Sequence, residues 1–354
     1  MSRKQDIVLE KKNRCGLVTL NRPKALNALN YDMISQMEAQ YIEWAGDPDI
    51  YGVVLQSSGG RAFCSGGDLK ALYEWWKAGR VDTILEKYTS EYQHNWTLDR
   101  FTKPHVSLID GFVFGGGVGI SLYGTHKVAS ENYRFAMPEA GIGFFPDVGA
   151  THFLPRMPGQ IGLYLVLTGN QIDRSDAYAL GLLTHCIDAS QFDAIIAAMC
   201  DADPIDPVLD GRHTDPGPSP LLQMRGQIDE HFSGDSVEEI LSSLRGASGA
   251  HAKWARETAK TINRNSPLSL KVAFRQVRKS GQPSLEQAIE IEGRIARVFL
   301  TDEEFYEGIR ALLIDKDGTP NWSPAALEDV SNEMVEACFV ISDEDGFRPI
   351  NPFL

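Results

Sequence analysis

The sequence predicts an α/β fold followed by a helical carboxy-terminal region, and three observations support this prediction. Short β-branched apolar runs, such as YGVVLQSS at 51–58 and HVSLIDG at 105–111, are typical of buried strands. Each run is followed by a glycine-rich turn and then by a stretch with helical character, and such alternation is typical of α/β proteins. From residue 236 to about 305, apolar residues recur at helical spacing, with breaks at Pro267 and Pro283.

The first elements are predicted to be a β-hairpin and a helix. Residues 7–10 and 16–20 have strand composition, and Pro23 disfavours a continuation of the second strand. Asn30 is expected to cap a helix that ends near Gly46. Its apolar residues recur at helical spacing, and they are Met33, Ile34, Met37, Tyr41 and Trp44.

The strand-and-helix pattern continues to about residue 190. Strands are predicted in HKVASE and YRFAMPE, helices in PGQIGLYLVLTG and DRSDAYALGL, and a further strand in THCID. We therefore divide the chain into a core at 1–200, an irregular connector at 201–235 and a helical carboxy-terminal region at 236–354. The connector is rich in Pro, Gly and Asp and is expected to hold at most one short helix.

Composition excludes several classes of protein. Hydrophobic residues make up 43% and charged residues 23% of the 354 residues, which is ordinary for a soluble protein, and no apolar run is long enough to span a membrane. The formal charge of −14 argues against a nucleic-acid partner. Residues 1–16 resemble neither a secretory nor a transit signal, so a cytoplasmic location is expected. Five scattered cysteines predict reduced thiols, and no metal site is expected.

Two glycine-rich stretches, CSGGDL at 64–69 and FGGGVGI at 114–120, each lie between a predicted strand and a helix. Unpaired N–H groups at such positions can bind an oxyanion, although either stretch alone could serve only as a tight turn. Neither matches G-x-G-x-x-G, and the phosphate loop G-x-x-x-x-G-K-[ST] and the G-x-S-x-G hydrolase motif are absent from the sequence. Nucleotide binding and a serine triad are therefore disfavoured.

Two acids, Glu139 and Asp147, lie in the otherwise uncharged segment MPEAGIGFFPDVGA at 137–150. A carboxylate among Met, Pro and Phe residues is expected to be desolvated, which raises its pKa and suits it to proton transfer or nucleophilic attack. The alternative is structural: Glu139 could cap a helix and Asp147 could start the next one.

With these motifs in order, the chain resembles the enoyl-CoA hydratase/isomerase (crotonase) superfamily, and its 3-hydroxyisobutyryl-CoA hydrolase branch in particular. The resemblance is carried by LNRPKALNALN, FCSGGDL, DGFVFGGGVGI, FAMPEAGIGFFPDVGATHFLPR and LTGNQIDRSDAYALGLLTH, and near the carboxy terminus by NSPLSLK and EGIRALLIDKDGTPNWSPAAL. It implies a crotonase-like spiral of repeated β-β-α units. It also implies an acyl-CoA substrate, with coenzyme A as part of that substrate and no permanently bound cofactor, and a possible trimer or hexamer.

The resemblance also assigns roles to residues. The backbone N–H groups of Gly67 and Gly116 would form an oxyanion hole for the thioester carbonyl, and Glu139 would act as nucleophile or general base. Asp147 would position water and a substrate hydroxyl. The positions that would bind substrate are Glu91, Lys24, Ala25, Leu26, Ala62, Gly66 and Asp68.

The implied reaction is hydrolysis of 3-hydroxyisobutyryl-CoA, an intermediate of valine degradation. Two alternatives remain open at this stage. The chain could be an enoyl-CoA hydratase or isomerase, but hydratases of this family carry a second glutamate where this chain has Gly119. It could also be a non-catalytic acyl-CoA-binding protein, although all three acids of the hydrolase branch, Glu91, Glu139 and Asp147, are present.

Overall fold

The computed structural model describes residues 5–340 and 347–354. In this part of the chain ten strands form two sheets. The strands are β1 (Ile7–Lys12), β2 (Cys15–Leu20), β3 (Gly52–Ser57), β4 (Ala62–Cys64), β5 (His105–Ile109), β6 (Phe112–Phe114), β7 (His126–Ala129), β8 (Arg134–Ala136), β9 (Ile172–Asp173) and β10 (His185–Cys186). The larger sheet has the order β1-β2-β3-β5-β7-β10 and the smaller one β4-β6-β8-β9.

The two sheets are built from a repeated unit. Each repeat gives one strand to the larger sheet and the next strand to the smaller sheet, as in the pairs β3–β4, β5–β6 and β7–β8. Equivalent strands of successive repeats pair in parallel, and only the β1–β2 hairpin and the β8–β9 pair are antiparallel among the described strands. This arrangement confirms the predicted spiral of β-β-α units and places the turns after β4, β6 and β8 side by side.

Helices connect the repeats and make up the carboxy-terminal region. They are α1 (Tyr31–Gly46), α2 (Leu69–Lys77), α3 (Val81–Arg100), α4 (Gly116–Leu122), α5 (Ala150–Phe153), α6 (Ile161–Thr168), α7 (Arg174–Ala179), α8 (Phe192–Cys200), α9 (Ile205–Asp210), α10 (Pro220–Gln223), α11 (Arg225–His231), α12 (Val237–Gly246), α13 (Ala252–Ile262), α14 (Pro267–Lys279), α15 (Leu285–Thr301), α16 (Glu303–Ile309) and α17 (Asn332–Ala337). A short π-helical segment at Arg310–Ile314 follows α16. The carboxy-terminal helices pack on the core, α15 against α3 and α5, and α14 against α6.

The predicted hairpin and first helix are confirmed, and so is the cap, because the Asn30 side chain accepts a hydrogen bond from Met33 N. The prediction of at most one short helix in the connector was wrong, since α9, α10 and α11 lie within 201–235. Proline there begins a helix instead of preventing one: Ser219 caps α10, and Pro220 is its first residue, where the missing N–H costs nothing.

Helix α3 was not predicted at all, although it is the longest described helix. Its buried face carries polar residues, among them Lys87, Glu91, His94 and Asn95, so the apolar periodicity that reveals a helix is weak. A helix with several buried charges and amides is unusual in a core, and this face of α3 points to a site.

Candidate active site

A cavity of about 510 Å³ opens where the turns after β2, β4, β6 and β8 meet helix α3 and the segment that follows α15. It is lined by Lys24, Ala25, Leu26, Ala28, Ser65, Gly66, Gly67, Asp68, Leu69, Lys70, Tyr88, Glu91, Phe114, Gly115, Gly116, Pro138, Glu139, Ile142, Phe144, Asp147, Phe305, Leu312 and Leu313. Of the eleven positions predicted from the sequence, ten line this cavity, and Ala62 does not.

The two glycine-rich loops lie next to each other at this cavity. A Cβ atom built on Gly66 would be 3.6 Å from Gly116 N. Gly116 is the first residue of α4, so its N–H has no acceptor within that helix. Leu29 N donates to Gly66 O and Asp68 N donates to Leu29 O, both at 2.8 Å, so the N–H of Gly67 points away from Leu29. The backbone geometry is therefore suited to two convergent donors.

The turn that contains Lys24, Ala25 and Leu26 is fixed to these loops. Asn27 adopts a left-handed conformation, and its side chain donates to the carbonyl of Ala62 at 2.9 Å and accepts from Arg22 N at 2.9 Å. Ala62 thus holds the turn from within β4, while Lys24 is exposed at the mouth of the cavity.

Asp68 has a structural part in the same region. Its carboxylate caps α2 by accepting from Ala71 N and pairs with Arg22 Nη2 at 2.8 Å.

Glu139 begins a short 3-10 turn directly after β8, and its carboxylate faces the glycine loop. A Cβ atom on Gly115 would lie 3.0 Å from Glu139 Oε1. The side chain is buried, and Oε2 has no hydrogen-bond partner among the described residues. Burial raises its pKa from 4.5 to about 8. A desolvated carboxylate without donors is reactive toward an electrophile or a water molecule placed beside it. The alternative that it caps a helix is not supported, because the N-cap position of this turn is Pro138 and Glu139 is the first residue inside the turn.

Asp147 lines the same cavity and is held by α3. Tyr92 Oη donates to Asp147 Oδ2 at 2.9 Å. Burial raises the pKa of Asp147 well above its ordinary value, with further increases from the negative charges of Glu139, Glu91 and Glu292, while the Tyr92 hydrogen bond opposes the rise. Two neighbouring acids with raised pKa values are a common feature of sites that transfer protons.

Three residues that sequence reasoning missed fix the turn around Asp147. Glu292 of α15 accepts hydrogen bonds from Gly149 N at 2.6 Å and Thr151 N at 2.8 Å. Gln276 of α14 donates to Pro146 O at 2.6 Å, and Tyr123 donates to Val148 O at 2.6 Å.

These bonds hold Val148 at a φ of 52°, which is strained for a β-branched residue. The carboxy-terminal helices therefore position a residue of the core site. No sequence motif signals these contacts, because the partners lie 25 residues apart for Tyr123 and 130 or more residues apart for Gln276 and Glu292.

Glu91 occupies the opposite side of the glycine loop. A Cβ atom on Gly116 would overlap Glu91 Oε1, so any other residue there would displace the Glu91 carboxylate. The other oxygen, Oε2, accepts a hydrogen bond from Lys87 Nζ at 2.8 Å, and both side chains are buried. Tyr88, which follows Lys87 in the same helix, also lines the cavity.

Gly119 is enclosed by packed side chains. A Cβ atom there would lie 2.8 Å from both amide atoms of Asn95 and 2.9 Å from Val148 Cβ. The position has no room for a glutamate side chain.

Other reactive side chains are less suited to catalysis. All five cysteines are free thiols, as predicted, and burial raises the pKa of Cys64, beside the glycine loop, to about 12.

Within residues 5–340 and 347–354, no group of three or more His, Cys, Asp or Glu side chains could hold a metal ion. None of the helices formed by these residues is both long enough and apolar enough to cross a membrane.

Comparison with known proteins identifies relatives over most of the chain. The model of the enoyl-CoA hydratase/isomerase family matches residues 15–339. The mitochondrial 3-hydroxyisobutyryl-CoA hydrolase of Danio rerio is 39% identical over 351 residues, which cover 96% of this chain and 90% of that protein. The Homo sapiens protein of the same name is 38% identical over 340 residues, with coverage of 93% and 87%.

Two solved structures are also similar to this chain. A carnitinyl-CoA dehydratase from Mycobacterium thermoresistibile has a TM-score of 0.90 and 36% identity, covering 97% of this chain and 98% of that one. An enoyl-CoA hydratase from Rhodobacter sphaeroides 2.4.1 has a TM-score of 0.90 and 34% identity, with coverage of 97% and 99%. The two relatives from Danio rerio and Homo sapiens are thus named as hydrolases, whereas the two solved structures are named as a dehydratase and a hydratase.

Proposed function

Because this chain belongs to the enoyl-CoA hydratase/isomerase family, we propose that it hydrolyses a short-chain 3-hydroxyacyl-CoA thioester, with 3-hydroxyisobutyryl-CoA as the preferred substrate. The products are free coenzyme A and 3-hydroxyisobutyrate, and the reaction is a step of valine degradation. Coenzyme A is part of the substrate, and the chain's own carboxylates carry the chemistry.

The thioester carbonyl oxygen accepts hydrogen bonds from Gly67 N and Gly116 N, which stabilise the negative charge that develops as the carbonyl is attacked. In the nucleophilic route, the Glu139 carboxylate adds to the carbonyl carbon and the C–S bond breaks. The thiolate leaves and takes up a proton, and water then cleaves the resulting anhydride. In the general-base route, Glu139 removes a proton from a water molecule that attacks directly. Asp147 positions that water in either route.

The observation that favours hydrolysis over hydration is the packing around Gly119. The two-acid scheme for hydration needs a second glutamate at this position, where Asn95 and Val148 fill the space. The acid that accompanies Glu139 in the proposed scheme is Asp147, which comes from the turn after Glu139 and not from α4.

The test is thiol release from a panel of short acyl-CoA thioesters, with and without a 3-hydroxyl group, together with hydration of crotonyl-CoA. We expect free coenzyme A from 3-hydroxyisobutyryl-CoA and a loss of most of this turnover in Glu139→Gln, with a modest change in affinity. Crotonyl-CoA hydration without thiol release would identify a hydratase. Binding without any turnover would identify a non-catalytic acyl-CoA-binding protein. Single turnover in ¹⁸O-labelled water separates the two routes, because only the anhydride route can leave label in Glu139.

Two further expectations belong to this proposal. A trimer or hexamer stays a prediction from the resemblance, and sedimentation of the full chain measures it. The cytoplasmic location also stays a prediction. The relatives named above are mitochondrial proteins, and fractionation of the native cells distinguishes the two compartments.

A further inference from the structure

The buried ion pair between Lys87 and Glu91 is not explained by the mechanism above. The two side chains lie one helical turn apart on α3, with Nζ 2.8 Å from Glu91 Oε2, and their side chains are 1% and 4% exposed. Buried charges of this kind are rare, because the free energy needed to remove two ions from water is larger than the free energy that a surface ion pair contributes. A buried pair beside a cavity is therefore a candidate for a functional role.

The two oxygens of Glu91 have different surroundings. Oε2 is held by Lys87, whereas Oε1 lies against Gly116, at the oxyanion loop, and Glu91 lines the cavity. A carboxylate paired with an ammonium accepts hydrogen bonds, so Oε1 is suited to a hydroxyl donor of the substrate acyl group. Glu91 would then make the hydroxyl contact that the resemblance gives to Asp147, and Asp147 would position the water alone.

Lys87 itself does not line the cavity but lies directly behind it. A Cβ atom on Gly67 would be 3.6 Å from Lys87 Nζ, and the ammonium lies 4.8 Å from the centre of the Tyr88 ring. Besides Glu91, the cavity holds the buried carboxyl groups of Glu139 and Asp147, and that of Asp68, which pairs with Arg22. The buried Lys87 ammonium contacts Glu91, and it compensates the negative charge of that carboxylate.

We propose that Lys87 is a positioning residue for substrate specificity, which holds Glu91 in the orientation that lets Oε1 accept a hydrogen bond from the 3-hydroxyl group of the acyl chain. This inference rests on the proposed function for the identity of the substrate. Lys87 acts through Glu91 and does not touch the thioester. Without the ammonium, Glu91 would be an uncompensated buried carboxylate, and its preference for a hydroxyl donor would be lost.

The test compares binding of 3-hydroxyisobutyryl-CoA and isobutyryl-CoA, which differ only in the hydroxyl group, by calorimetry in a Glu139→Gln background that prevents turnover. In that background we expect the hydroxylated thioester to bind about tenfold more tightly or better, as for a hydrogen bond to a charged group. With Lys87→Met added, the ratio of the two dissociation constants should fall toward one. Glu91→Gln should cause the same fall, and the double change should add little.

The matched control is Lys253→Met, because Lys253 and Glu257 form an i,i+4 pair on the surface of α13, with Lys253 84% exposed. This variant should keep the parental ratio. Lys87→Gln, which keeps a donor but lacks the charge, replaces the methionine variant if the latter does not fold.

Three results would overturn the inference. They are a parental ratio near one, an unchanged ratio in the Lys87 variant that folds, and an equal loss of affinity for both thioesters in that variant, which would indicate a purely structural role. Absence of thiol release by the unmodified enzyme would instead overturn the proposed function, and the binding ratio would still decide the role of Lys87.

Discussion

Replacing Glu139 by glutamine is expected to stabilise the protein at alkaline pH while it removes activity. The pKa of Glu139 is raised by burial from 4.5 to about 8, and Oε2 has no partner among the described residues. The folded state therefore binds this proton more tightly than the unfolded state does. The stabilising contribution of the protonated acid is complete below pH 4.5 and is lost as the pH rises through about 8.

The magnitude follows from the distance between the two pKa values. Each pH unit between them costs the folded wild type about 1.4 kcal/mol, which gives on the order of 4–5 kcal/mol above pH 8. Charges inside proteins behave as if the surrounding dielectric constant were about 20 and not about 4, so we expect at least about 2 kcal/mol of this to be observed. Glutamine has no charge at any of these pH values, so the variant avoids the cost.

The assay is urea unfolding of wild type and Glu139→Gln at about pH 5 and about pH 9. The difference in the free energy of unfolding between the two proteins should grow in favour of the variant as the pH rises. Other titrating groups are common to both proteins and largely cancel in the difference. A difference that is the same at both pH values would refute the reasoning, because it would mean that the Glu139 carboxylate is as well solvated in the fold as in the unfolded chain.

Three further predictions concern the same site. In the proposed mechanism ionised Glu139 is the reactive form, so kcat/KM for thiol release should rise with pH to a plateau above about pH 8, and a flat profile between about pH 6 and pH 8 would contradict this. Gly119→Glu should lose at least about 3 kcal/mol of stability in urea unfolding and gain no crotonyl-CoA hydration, because a buried charge and a side chain enter filled space. A stable variant with hydratase activity would show that the packing argument is wrong. Glu292→Gln should lower kcat by about tenfold or more and cost about 1–3 kcal/mol in unfolding, because its NH₂ group would face the N–H donors of the Asp147 turn. The exposed Glu286→Gln on the same helix should stay within about 0.5 kcal/mol of wild type.

Much of the fold could be predicted from local patterns. The hairpin, the capped first helix and the strands of the repeats have composition and spacing that act over a few residues, so they can be read along the chain. Helix α3 could not, because Lys87, Glu91 and Asn95 occupy its buried face and hide the apolar period. The high Pro, Gly and Asp content of the connector hides its helices, and in α10 Pro220 lies at the first helical position, where proline is tolerated.

The candidate site was predicted in part for a related reason. Glu139, Asp147 and the glycine loops lie in compact motifs whose composition is unusual, so they can be found without a structure. Their supporting residues have no such signal. Tyr92 and Glu292 contact the Asp147 turn across 55 and 143 residues of sequence, and such pairs are created by the packing of α3 and α15 against the core.

Residues of both the core and the carboxy-terminal region therefore build the candidate site. The turn that carries Asp147 has four anchoring contacts: the core supplies Tyr92 and Tyr123, and the carboxy-terminal helices supply Gln276 and Glu292. Holding Val148 in a left-handed conformation requires such anchoring, because a free turn would relax to an unstrained one. A core without α14 and α15 would keep the glycine loops and Glu139 but would lose the bonds that fix Asp147. The helical region is for this reason part of the framework of the candidate site and not an appended unit.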